Sequence, residues 1–121
     1  MDNEPLDNAM IAKVLRRAGE RVLTGWIQYY PIRKHGLVDE CDRRAGCVVE
    51  SLFDAYREVY GLAPGAGLPG DVMSALLIPV LAAHGGPGVA HLAAWNDAPG
   101  RTPEEVNALC VAGAELAEVR G

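Results

Sequence analysis

At 121 residues, 50% hydrophobic and 22% charged, the chain has the make-up of one soluble globular domain that can bury a core without staples. A net charge of −5 argues against a general binder of nucleic acid or anionic membrane, and three scattered cysteines do not form a disulfide framework. The longest apolar run, 72–83, is broken by Ser74 and Pro79 and is too short to cross a bilayer.

Residues 1–6 read as a flexible arm, and the opening MDNEPLDNAM has neither the basic nor the apolar region of a signal peptide. The expectation is a single domain over 1–121, cytoplasmic, with no membrane partner. A first helix is predicted from a cap at about Asp7 to about Thr24. Ile11, Val14, Leu15, Ala18 and Val22 form its apolar stripe, and Gly25 suits the position just past its end. Arg16, Arg17, Glu20 and Arg21 lie mostly off the stripe and are expected to form a solvated face.

Helical periodicity lapses at 26–38, WIQYYPIRKHGLV, which reads as an extended segment or short hairpin. A second helix is expected from about Asp39 or Asp42 to Tyr60. Ala45, Val48, Val49, Leu52, Phe53, Tyr56 and Val59 supply its apolar face, and Gly61 closes it. After the glycine- and proline-rich connector 62–70, Asp71 can cap a third helix, 72–84. That helix is apolar almost all round, which marks a buried central element, and Pro79 should kink or divide it. Residues 85–88 end it, and 89–95 read as a short helical turn.

The stretch from His91 to Leu116 is the most tightly specified. Ala98-Pro99-Gly100-Arg101 is a type II turn signal, with proline presetting φ and glycine accepting the positive φ. Thr102 follows as an N-cap, Pro103 takes the first helical position, and Glu105 completes a capping box. Val106, Leu109, Cys110, Gly113 and Leu116 then share one face, and Trp95 anchors the loop. The predicted architecture is all-α: a compact bundle of about four main helices with the irregular segment at 26–38.

Each candidate chemistry meets a plainer explanation. Residues 26–35 interleave aromatic and basic side chains, as single-strand binders do, but the net charge opposes it and no nucleic-acid motif is present. Cys41 and Cys47 with His35, His84 and His91 invite zinc, yet the C-x₅-C spacing is not that of a finger or ribbon. Gln28, Cys47, a histidine at 84 or 91, and Asn96 follow the papain-like order and sketch a cysteine hydrolase. Against it, Cys47 reads as lying on a buried helix face. Asn96 and Asp97 beside Trp95 could form a polar ligand site, but such residues more often brace their own turn. The glycine-rich loops lack the frame of a phosphate cradle. No catalytic residue, metal or cofactor is expected.

AAWNDAPGRTPEEVNAL, 93–109, resembles the C-terminal signature of a family of small proteins of actinobacteria and their bacteriophages. Members show a leucine-, arginine- and alanine-rich first helix running into Gly-Trp, as in VLRRAGERVLTGW at 14–26, and a cysteine-initiated helix, here CVVESL at 47–52. Glu50-Ser51 departs from the Gly-Ala usual after that cysteine. The resemblance implies an all-α fold, an actinobacterial or actinophage source, and no catalytic residue.

The resulting expectation is a non-enzymatic protein that binds a host protein or assembles with itself. Tyr29, Tyr30, Ile32, Tyr60 and Leu62 are the expected contact residues, being aromatic or apolar beyond what the stripes need. Trp95, Asn96, Asp97, Thr102 and Glu105 are expected to be structural. The runners-up are a cysteine-dependent hydrolase using Cys47 and a weak single-strand binder through 26–35.

Overall fold

The computed structural model describes residues 7–25, 48–63, 65–85, 89–96 and 98–120. Among them the chain forms five helices and no strand: α1 (Asn8–Gly25), α2 (Val48–Val59), α3 (Gly70–His84), α4 (Val89–Asn96) and α5 (Pro103–Arg120). The class is all-α. The irregular segment expected at 26–38 and the expected start of the second helix lie outside the described residues.

The centre of the bundle is α1, which packs on α5 along its length and on α2. Its whole predicted stripe, Ile11, Val14, Leu15, Ala18 and Val22, is buried, joined by Ala12. Asp7 caps it: the Met10 N–H donates to Asp7 Oδ1 at 2.8 Å. From α5 come Val106, Leu109, Cys110, Ala114 and Ala117, from α2 Val48, Leu52 and Ala55, and from α4 Leu92. Leu116, expected on the α5 core face, is only half-buried, and the smaller Ala114 and Ala117 take that place against α1.

Close helix packing is set by glycine. A Cβ at Gly19 would run into the Asn107 side chain, which lets α1 and α5 approach there. A Cβ at Gly113 would sit 3.1 Å from Val80 Cγ2 and 3.3 Å from its backbone, so α3 and α5 touch through that point.

The third helix departs from expectation. It is not the buried centre: only Leu76, Pro79 and Val80 are buried, and Ile78 is 52% exposed. An apolar sequence on all sides requires burial on all sides only if neighbours exist to cover it, and α3 packs mainly on α5. Of the two outcomes expected at Pro79, a kink or a division, division does not occur: the helix runs unbroken from Gly70 to His84. Asp71 is also not its cap. The N-cap is Pro69, which makes no side-chain cap bond, and Asp71 lies within the first turn.

The α2 terminus ends as its glycine demands. Gly61 has φ 71, its N–H donates to Glu58 O at 3.2 Å, and the Leu62 N–H donates to Arg57 O at 2.7 Å. This paired return satisfies the last carbonyls and places Leu62 just beyond the helix.

Candidate functional site

The tryptophan–asparagine segment lies at the end of α4 and is held from two sides. Asn96 is fully buried, and its Oδ1 accepts a hydrogen bond from the Val48 N–H at 3.2 Å, across 48 residues of sequence. Val48 opens α2, so Asn96 satisfies one of the amide donors that a helix N-terminus leaves without an internal partner. The spacing that allows it is simple: Leu92 and Asn96 are one turn apart on the same face, and Leu92 is itself buried in the core.

Trp95 is half-buried against the core rather than inside it. The Arg101 guanidinium lies 4.1 Å from the centre of its ring, and Arg101 Nε donates to the Trp95 carbonyl at 3.0 Å. His84, at the end of α3, meets the indole edge-on with ring centres 5.6 Å apart. The turn between them closes with the Arg101 N–H donating to Ala98 O at 3.1 Å, and Gly100 takes φ 84. Thr102 and Glu105 exchange bonds: Glu105 Oε1 accepts from the Thr102 N–H at 2.9 Å, and Thr102 Oγ1 accepts from the Glu105 N–H at 3.2 Å. Asp97 lies outside the described residues. Asn96 therefore braces the mid-chain helix, and the Arg101 side chain braces Trp95.

This arrangement weakens the hydrolase sketch. Gln28 and Cys47 lie outside the described residues, as does the His91 side chain. Asn96 is closed off from solvent and already engaged by a backbone amide. Cys110 is buried among apolar groups, and burial pushes its thiol up to about 12, the opposite of an activated nucleophile. Cys41 and His35 also fall outside. Among the described residues no three His, Cys, Asp or Glu side chains gather as a metal-binding group. No described helix is long and apolar enough to cross a membrane.

The outer face of α1 is more ordered than a merely solvated one. Arg17 makes a two-pronged pair with Glu58 of α2 at 2.6 and 3.1 Å, Arg21 reaches the same carboxylate at 2.7 Å, and Arg16 pairs with Glu118 of α5 at 2.7 Å. The Arg17 guanidinium holds the Glu58 carboxyl below its usual range, against a smaller opposing effect of burial. These pairs border a shallow groove of about 540 Å³ floored by Lys13, Arg16 and Arg17. Its charges largely neutralise each other across the helices, and it presents no nucleophile.

Of the expected contact residues, Tyr29, Tyr30 and Ile32 lie outside the described residues. Tyr60 and Leu62 stand in water at 40% and 42% exposure, on either side of Gly61. The Tyr60 ring lies against Tyr56 with centres 4.5 Å apart. Sequence reasoning missed the exposed Ile78, because an all-apolar helix gives no sign of which side faces out.

A family model matches residues 7–116, which takes in every helix but the last turn of α5. The chain belongs to DUF6197, a family of unknown function. Neither the curated proteins nor the solved structures contain a match to this DUF6197 chain. What the fold can do must therefore be argued from its own surface.

Proposed function

We propose that this DUF6197 protein is a non-enzymatic interaction module of an actinobacterial or actinophage cytoplasm, binding a partner protein or a second copy of itself. The observation that carries this reading is the corner at the end of α2, where Tyr60 and Leu62 remain 40% and 42% exposed. They flank the helix ending: Gly61 takes a left-handed conformation between them, and neither side chain is buried in the core. Tyr60 stacked on Tyr56 forms a stiff aromatic ledge that loses little side-chain freedom on binding. Tyrosine is enriched among the residues that dominate binding energy at interfaces. Tyr29, Tyr30 and Ile32 join the proposal on sequence grounds. The buried, engaged Asn96 supports the same reading, since the segment most suggestive of a ligand site serves the framework.

The test is a pull-down of the tagged protein from an actinobacterial lysate, read by mass spectrometry beside a Tyr60→Ala/Leu62→Ala variant of equal thermal stability. A stoichiometric partner that disappears with the variant is the expected result. A partner retained equally by both proteins would remove this corner from the interface.

A further inference from the structure

We infer that Arg57 is the positioning residue of the Tyr60–Leu62 corner, holding the chain beyond α2 in the shape a partner would meet; this rests on the interaction reading above. The stretch 61–70 carries glycine at 61, 65, 67 and 70. Such a composition has the most freedom to lose on ordering, so it would not keep one shape unaided. Leu62 nevertheless lies between two ties to a single residue. Its own N–H donates to the Arg57 carbonyl at 2.7 Å, and four residues on, the Ala66 carbonyl accepts from Arg57 Nε, also at 2.7 Å. The Ala66 N–H donates to Ala63 O at 3.0 Å, with Gly65 at φ 82, so the point that Arg57 grips is itself a closed turn.

The grip suits arginine in particular. Arg57 Nη1 donates to Asp54 Oδ1 at 2.7 Å, about one turn back along α2, and the Arg57 side chain is only 14% exposed, so water competes little for either bond. A planar fork of donors can serve a backbone carbonyl and a carboxylate at once, whereas a lysine ammonium is a single point. Asp54 in turn faces α1, with Arg21 Nη2 standing 4.0 Å from its second oxygen. The shape of the corner is thereby tied to the α1–α2 contact rather than left to the connector. A surface ordered before contact loses less freedom on binding, which is how a residue that the partner need not touch can raise affinity.

Amide exchange of the full chain tests this, with Arg57→Lys and Asp54→Asn beside the natural sequence. Arg57→Lys keeps the charge and the helix propensity but cannot hold both acceptors. The Leu62 and Ala66 amides should exchange about tenfold faster in it, the worth of about one hydrogen bond, while the buried Leu52 and Ala55 of α2 keep their protection. Asp54→Asn retains an oxygen that Arg57 can donate to, so it should keep protection at Leu62 and Ala66 within about threefold. A partner captured through Tyr60 and Leu62 should also be recovered about tenfold less well by Arg57→Lys, which leaves both of those side chains in place. Unchanged exchange at Leu62 and Ala66 in Arg57→Lys, or equal capture of such a partner, would overturn the proposal. An empty pull-down beside loosened Leu62 and Ala66 amides would sink the interaction reading and support Arg57 as the clamp, so the two failures are separable.

Discussion

Two helices of this bundle begin in opposite ways. The N-terminus of α5 is capped from within three residues, at the surface, by the reciprocal Thr102–Glu105 bonds. The N-terminus of α2 is met from 48 residues away, in the core, by Asn96. The first is a local device that stabilises its own helix wherever the chain goes. The second depends on α4 lying against α2, so it contributes to tertiary order as well as to helix formation. Burial also changes its weight: an exposed amide that loses its cap is rehydrated, whereas a buried one is left with nothing.

That contrast sets the order of expected effects. Asn96→Ala should be the most damaging, costing about 2–3 kcal/mol, since it removes a cap and strands the buried Val48 amide. Urea denaturation would measure it, and a loss below about 1 kcal/mol would place the two caps on an equal footing. Thr102→Ala should cost about 1 kcal/mol, the ordinary value for a solvent-exposed cap, with no effect on the α2 amides by hydrogen exchange.

Weakest should be the ion pairs over α1. Each is substantially exposed, so Glu58→Gln is expected to cost no more than about 1 kcal/mol at neutral pH. Its signature is the pH dependence. Glu58 is held below the ordinary glutamate value of 4.5, so its contribution is present above that value and is lost as the pH falls through the lower, folded one. The melting temperature of the natural protein should therefore fall toward that of Glu58→Gln as acid is added below about pH 4.5, and parallel curves would exclude a role for Arg17–Glu58.

The same contrast explains what was legible in the sequence. The capping box, the Ala98–Arg101 turn, the Asp7 cap and the glycine endings at 61 and 85 each depend on a few neighbouring residues, and all could be read from the chain. The α1 stripe was readable because one helix face meets one core. Asn96 was not readable as the α2 cap, because no local pattern tells an asparagine which distant amide it will meet. The place of α3 was misread for a related reason. Its apolar content is plain in the sequence, but which of its sides a neighbour covers is not, and Ile78 stands exposed. The exposure of Tyr60 and Leu62 agrees with the expectation that they are apolar residues beyond what the helix stripes need.

The measurement that bears most directly on the framework role of the tryptophan–asparagine segment is amide exchange at Val48 in the natural protein and in Asn96→Ala. The Val48 amide should be strongly protected in the first and should exchange far faster in the second, with α1 and α5 amides still protected. Equal protection of Val48 in both proteins would contradict the assignment of Asn96 as the α2 cap and return the segment to the candidates for ligand binding.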